Sequence, residues 1–370
     1  MISTDKYLPW FIVKSIPGIG NHLYKRLIHR FKTPEKILKA GVEELTTIPG
    51  ISQKAIQGIT HCTVIAQARA ELDAINRTNL GFATMNDVNY PPLLREIPDP
   101  PPFFTFQGTL DTDQPCISIV GSRNATSYGL ESAYRLGYDL ATRGFQVVSG
   151  MATGIDTAAH RGALAARGRT VAILGSGLNW VYPRRNLPLF NEICQTGAVI
   201  SEFPPYTRPE PRNFPIRNRI IAGISTGTIV VEAAARSGSL ITARLAADFS
   251  REVFAVPGSI TSQKSHGTHA LIRQGATLVE NHGDIIQELH HMVHLEPAFP
   301  PSPSGDKIEQ KLNKVEQAIV SVLEPYPQHI DKIVEQTDLD IGAVSAALLD
   351  LELNGMVKQL PGKLFSIKEE

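Results

Sequence analysis

Between residues 103 and 290, short β-branched runs alternate with stretches of helical periodicity, and this rhythm restricts the fold more than any other feature of the chain. Runs that are apolar throughout suit the strands of a parallel sheet covered by helices on both faces. The candidate strands are Cys116–Val120, Gln146–Ser149, Thr170–Leu174, Ala198–Ser201, Thr228–Val231, Glu252–Val256 and Thr277–Val279. Ligands of open α/β sheets bind beyond the carboxyl ends of the strands. The residues at those ends are therefore the natural candidates: Gly121-Ser122-Arg123, Gly150, Gly175-Ser176-Gly177, Ser201-Glu202 and Gly258-Ser259.

The first of these turns carries the clearest chemistry. From Ile117 to Tyr128 the chain reads as a strand, a tight turn and the start of a helix. Glycine lets the backbone approach an anion, free N–H groups and the helix dipole attract it, and Arg123 can clamp it. Such a turn could serve a nucleotide cofactor. No second glycine pair follows Arg123, however, and no acidic ribose-binding residue follows the next strand, which ends in Ser149-Gly150. No cofactor is expected.

The flanks differ from this core. Ile16-Pro17-Gly18-Ile19-Gly20 returns 32 residues later as Ile48-Pro49-Gly50-Ile51-Ser52, each copy lying between helical stretches. The pair is similar to tandem helix-hairpin-helix (SAM-like) motifs, whose hairpins offer N–H groups to DNA phosphates, although Ser52 replaces the last glycine of the second copy. A small bundle that uses Pro-Gly only as a turn fits equally well. Prolines 91, 92, 98 and 100–102 then mark an extended connector, since prolines at that density cannot continue a helix or a central strand. A second proline-rich stretch, Pro297 to Gly305, reads as a spacer. Beyond it, helices over Val315–Leu323, His329–Glu335 and Ile341–Leu353 precede a hairpin over Met356–Ile367, which is the order of a winged helix. The expected domains are a helical domain over 1–90, a Rossmann-like core over 91–295, a linker over 296–306 and a winged helix over 307–370.

Charge follows the same divisions. Residues 1–95 carry 12 Lys+Arg against 7 Asp+Glu, residues 96–305 carry 17 against 17, and residues 306–370 carry 7 against 12. The core has 16 arginines and one lysine, whereas the last segment has seven lysines and no arginine. Arginine's planar fork suits phosphate and base stacking better than lysine does. The third helix of the winged domain contains no Lys or Arg from Ile341 to Gly355, so it is a poor groove reader, and a protein-docking or regulatory role is expected there. No apolar run reaches the roughly 18 residues of a membrane span, and no basic-then-apolar leader opens the chain, so a cytoplasmic location is expected. Cys62, Cys116 and Cys194 show neither disulfide nor zinc spacing.

Several further motifs stand in one order. They are Gly150-Met-Ala-Thr-Gly-Ile-Asp-Thr-Ala-Ala-His160, Leu174-Gly-Ser-Gly-Leu178 with Tyr182-Pro-Arg-Arg-Asn186, Phe214-Pro-Ile-Arg-Asn-Arg-Ile-Ile221, Val231-Glu-Ala-Ala-Ala-Arg-Ser-Gly-Ser-Leu-Ile-Thr242 and Val253-Phe-Ala-Val-Pro-Gly258. With the Gly-Ser-Arg turn they resemble the DNA-processing protein A (DprA/Smf) family over about residues 105 to 280. That resemblance implies a non-enzymatic single-strand DNA binder that protects incoming DNA and loads the RecA recombinase in natural transformation. It also implies a homodimer, and a DNA contact at the basic position that Arg184 occupies, with Asn186 and Asn218 fixing neighbouring geometry.

The DNA-binding candidates are Gly121, Ser122, Arg123, Gly150, Arg184, Asn186, Arg217, Asn218, Arg219, Ser237, Gly238, Ser239 and Thr242. Each arginine could neutralise a phosphate or stack on an unpaired base. A surface ion pair is the ordinary alternative for any one of them, but less so for the group. Two departures from the family pattern are visible: Gly267-Thr268-His269 where Gly-x-Asn is usual, and Asp248-Phe-Ser-Arg251 where a glycine turn is usual.

Catalysis has weaker support. Asp156 and His160 share a helix face, yet helix capping explains Asp156 better than acid–base work. His290, His291 and His294 lack carboxylate or cysteine partners at ligand spacing, and no metal is expected. A phosphoribohydrolase of the lysine-decarboxylase-like (Lonely Guy) group is the competing reading, because Gly227-Thr228 precedes Glu232. The spacing is one residue too long for that motif, and Ser225-Thr226 stands where its double glycine belongs.

Overall fold

The computed structural model describes residues 4–78, 80–291, 313–323, 328–337, 339–354, 356–360 and 362–367. They fall into two compact units divided near residue 300. The expected linker and His294 lie outside the described residues.

The first unit is built on one nine-stranded sheet. Its strands are β1 (Gly81–Thr84), β2 (Phe103–Gly108), β3 (Cys116–Val120), β4 (Gln146–Ser149), β5 (Thr170–Ile173), β6 (Ala198–Ser201), β7 (Gly227–Val230), β8 (Glu252–Ala255) and β9 (Thr277–Leu278). They lie in the order β1-β2-β6-β5-β4-β3-β7-β8-β9. From β6 to β9 every pairing is parallel, and only β1 and β2 add an antiparallel edge. Chain order reverses between β3 and β7, so the crevice of this doubly wound sheet opens at the tips of those two strands.

Every residue of β3 is buried, which explains its unbroken apolar run. Ile117 and Ile119 join one core with helices Ser127–Thr142, Ile155–Ala165 and His282–Leu289. Val120 joins another with helix Asn213–Ile224 and the N-terminal helices. Ser118, on the second face, is satisfied by the Thr228 hydroxyl at 2.7 Å.

The helical segment is joined to the sheet. Residues 81–84, which the sequence places in the helical domain, form β1, and that domain's helices end at Asn76. Phe11 packs its ring on Phe82 of β1 and Phe103 of β2, with centroids 5.5 and 4.3 Å away. The proline connector is not wholly extended: Pro92–Glu96 is a short helix, and Leu94 and Ile97 pack where helix Asn213–Ile224 has Gly223.

Both hairpins place their central glycine in the left-handed region, Gly18 at φ +92° and Gly50 at φ +80°. Ser52 caps helix Gln53–His61 by accepting from the Ala55 N–H at 3.2 Å. The residue that breaks the glycine pattern therefore uses one of the N–H groups a phosphate would need.

The second unit has the expected order. Helices Lys314–Val322, Ile330–Thr337 and Ile341–Leu353 enclose Ile319, Ile333, Val344, Leu348 and Leu351. Gln328–His329 pairs with Leu364–Ile367, which pairs with Val357–Leu360. On the third helix Ile341, Leu349 and Leu353 are exposed.

Candidate nucleic-acid interface

The Gly-Ser-Arg turn leaves β3 and packs directly on the loop after β4. The Ile155 N–H donates to the Ser122 carbonyl at 3.2 Å, and the Thr153 hydroxyl donates to the Arg123 carbonyl at 3.1 Å. Gly154, at φ +77°, has a Cβ position only 2.2 Å from the Ser122 carbonyl oxygen, so a side chain there would push the turn away. The turn thus has its shape set by helix Ile155–Ala165.

The helix that follows the turn does not present an open N-terminus. Thr126 caps it by accepting from the Gly129 N–H at 3.1 Å, and donates its own N–H to the Glu232 carboxylate at 2.9 Å. The Thr126 hydroxyl also donates to Glu232. Glu232 enters from the tip of β7, across the switch point, in the left-handed conformation at φ +59°. A protein carboxylate therefore fills the place where the sequence suggests a phosphate, and the helix dipole acts on it. The side chain of Arg123 points elsewhere: it is exposed, with its guanidinium 5.3 Å from the Phe214 ring centre.

A second helix N-terminus at this edge is arranged differently. Gly238 precedes helix Ser239–Asp248, is exposed, and has nothing within 4 Å of its Cβ position. No acidic residue stands in the first turn of that helix. The Ser237 and Ser239 hydroxyls are 2.8 Å apart, and Asn218 donates to the Gly238 carbonyl at 3.4 Å. Ser239 and Thr242 are buried, so they support this turn from behind.

The four candidate arginines divide into two pairs. Arg184 is exposed like Arg123, and begins a single 3-10 turn ending at Asn186. Asn186 is buried and holds this segment to the loop after β4, donating to the Met151 carbonyl and the Thr157 hydroxyl at 2.9 Å each. Arg217 is only 4% exposed. It donates to the Gly150 carbonyl at 2.8 Å and also to the Ile173 carbonyl, tying the tips of β4 and β5 together. Gly150 is needed here because a Cβ would lie 2.4 Å from the guanidinium. Arg219 is also buried, paired with Glu202 at the tip of β6 and with Asp99 of the proline connector at 3.3 Å. Two residues apart on a helix is about 200° of rotation, so Arg217 and Arg219 serve opposite sides.

Behind the rim lies a buried polar group. Asp156 accepts from the Gly150 and Ala152 N–H groups at 3.1 and 3.2 Å, and Arg217 supplies the opposing charge. Burial nevertheless raises its carboxyl above the usual range. His160 is fully buried, with Nδ1 2.7 Å from the Thr170 hydroxyl. That hydroxyl donates its proton to the Val147 carbonyl, so Nδ1 must carry the hydrogen. Burial, assisted by Arg217, pushes the imidazole down to about 3, and it stays neutral. Both groups are shielded from solvent, and Asp156, which the sequence suggests as a helix cap, instead binds the loop after β4, while the helix it begins has Gly154 at its N-cap with no side-chain bond.

The rim also gathers aromatic rings that are not among the candidate residues. Tyr182 stands 5.8 Å from Phe214, and Trp180, Tyr182 and Tyr206 are exposed. Alternation of Trp180 and Tyr182 after a glycine turn, with arginines close by, is the signal that could have found them. The two departures from the family pattern have local explanations. His269 Nε2 lies 3.1 Å from the Gly258 carbonyl, so the histidine is tied to the Val-Pro-Gly turn. Ser250 adopts the left-handed conformation, at φ +58°, where glycine is usual.

Comparison with known proteins agrees with this architecture. The family profile described as DNA recombination-mediator protein A matches residues 81–290, a DprA winged helix domain matches 300–363, and a SAM-like helix-hairpin-helix tandem matches 12–60. Protein Smf of Synechocystis sp. is 35% identical over 384 aligned residues, covering 95% of this chain and 96% of the relative. DNA processing protein A of Streptococcus pneumoniae superposes with a TM-score of 0.65 at 33% identity, covering 75% of this chain and 96% of that one. The Helicobacter pylori protein, solved to examine its single-stranded DNA binding mode, gives 0.52 at 30% identity over 59% of this chain and 99% of that one. The chain belongs to the DNA recombination-mediator protein A (DprA/Smf) family.

Proposed function

We propose that the protein binds single-stranded DNA along the carboxyl edge of the sheet and passes it to a RecA-type recombinase, as a homodimer. The observation that carries this reading is a run of arginines and aromatic rings at this edge: exposed Arg123 over half-buried Phe214, Phe214 against exposed Tyr182, and exposed Arg184 two residues after Tyr182. Cations that track phosphates, combined with rings that stack bases without regard to sequence, suit an unpaired strand. Arg123 and Arg184 make the contacts, Gly121, Ser122, Ser237, Gly238 and Asn218 shape the path, and Gly150, Asn186, Arg217, Ser239 and Thr242 hold it rigid. Arg219 joins the proline connector to the sheet. The single-stranded DNA in the Helicobacter pylori work and the family description support the same reading.

Hydrolysis of nucleotides is less well supported. Thr228 is fully buried in β7 against Ser118, and Glu232 is bound to Thr126. Gel shifts across salt test the main reading. Single strands should bind with an affinity that falls steeply with salt, by about 0.7 in logarithmic slope per phosphate contacted. Equal affinity for duplex, or a flat salt response, overturns it. Recombinase loading is tested by RecA filament growth on strands coated with single-strand-binding protein, where no acceleration sinks that part. The winged unit is assigned to protein docking, and removing residues 306–370 should leave strand affinity within a few-fold.

A further inference from the structure

The rim continues past Tyr182. Trp180 is 41% exposed, and the Arg208 guanidinium lies 5.2 Å from its ring centre. A large ring held in water needs an explanation when its mount is rigid, and this mount is rigid. The Trp180 N–H donates to the Gly177 carbonyl at 2.9 Å, and the Ser176 hydroxyl donates to the Trp180 carbonyl at 2.7 Å. The loop is fixed to the one carrying Arg208 by Gly177 N–H to Thr207 carbonyl at 2.9 Å and Asn179 N–H to Pro205 carbonyl at 3.0 Å. Gly177 cannot be replaced without parting them, because a Cβ would stand 2.1 Å from the Pro204 carbonyl oxygen. The other tryptophan shows the contrasting use: Trp10 is 5% exposed and stacked on Tyr24 at 5.9 Å, as a core residue.

We infer that Trp180 and Arg208 form a second base-stacking station for single-stranded DNA, separate from Arg123 and Phe214 on the same edge. An unpaired base stacks on the exposed part of the indole, and Arg208 lies over the ring and meets the adjoining phosphate. Every base has a π-face, so the station is indifferent to sequence. The inference rests on the proposed strand binding, and its test separates the two.

The chain has only two tryptophans, and Trp10 is buried beyond reach of a stacking base, so Trp10 emits as a background and a change in emission on strand binding reports on Trp180. Fluorescein-labelled oligothymidylate is titrated into the full chain, following anisotropy for binding and tryptophan emission for stacking. Wild type should bind with quenching, and Trp180→Phe should bind within about twofold but without quenching. Trp180→Ala should bind about tenfold more weakly. On an abasic strand of equal length, wild type and Trp180→Ala should bind alike. Binding without quenching, quenching that survives in Trp180→Phe, or equal loss by Trp180→Ala on the abasic strand overturns the station and leaves strand binding intact. No anisotropy change with wild type overturns both.

Discussion

One ring, Phe214, has two arginines and two different fates beside it. Arg123 lies 5.3 Å from the ring centre and faces solvent, while Arg217 lies 5.9 Å from it and is buried. The residue type is the same, and the partners decide the role. Arg217 reaches two strand-tip carbonyls and sits in the field of Asp156, so its charge is used inside the fold. Arg123 projects from a turn whose carbonyls are already occupied by Ile155 and Thr153, which leaves its side chain free to point outward. A cluster of arginines near strand tips is thus a rigid inner group and an outer group that can meet a ligand.

The contrast can be broken most forcefully from the inside. Arg217→Ala leaves Asp156 buried without its counter-charge and two carbonyls without a donor, and should cost about 3–5 kcal/mol in urea unfolding. A loss under 1 kcal/mol would remove Arg217 from the inner group. Arg123→Ala should do the opposite, lowering single-strand affinity by about 1–3 kcal/mol while thermal stability stays unchanged. Unchanged affinity in that folded variant would leave the outer group without its main contact.

His160 sharpens the inner group through pH. Its folded pKa of about 3 lies below the unfolded value of 6.5, so between those values the unfolded chain binds more protons. The stabilisation is complete above the unfolded value and is lost as pH falls toward the folded one. From pH 7 to 5.5 the wild type should lose about 1 kcal/mol more than His160→Leu. Asp156, whose carboxyl is raised, acts in the reverse sense and is present in both proteins, so the difference between them isolates His160. Parallel pH profiles of the two proteins would contradict the buried, neutral imidazole. The smallest effect lies outside both groups: Ser250→Gly relieves a left-handed serine and should stabilise by about 0.5–1 kcal/mol. A lower melting temperature would show that the serine is favoured there.

Much of this fold is legible because parallel strands are apolar on both faces and stop at glycine, serine or charge. Cys116–Val120, Gln146–Ser149 and Ala198–Ser201 carry the same ends in sequence and structure. β1 and β2 escape notice because they lie outside the parallel alternation, as an antiparallel edge on either side of the proline connector. In sequence Arg217 and Arg219 read alike, as arginines near a strand tip, and the helix that carries them sends residues two apart to opposite sides. Glu232 is harder still. Its partner Thr126 is 106 residues away, and no local pattern announces that a carboxylate crosses the switch point to cap another strand's helix.

That carboxylate has a topological consequence. A pocket that grips a terminal phosphate needs a chain end, and here the seat for such a phosphate is taken by Glu232. Under the proposed function the strand lies along the sheet edge and enters it sideways. A closed circle of single-stranded DNA is then as good a ligand as a linear one, and the protein can engage the middle of a strand whose ends are far away or already occupied.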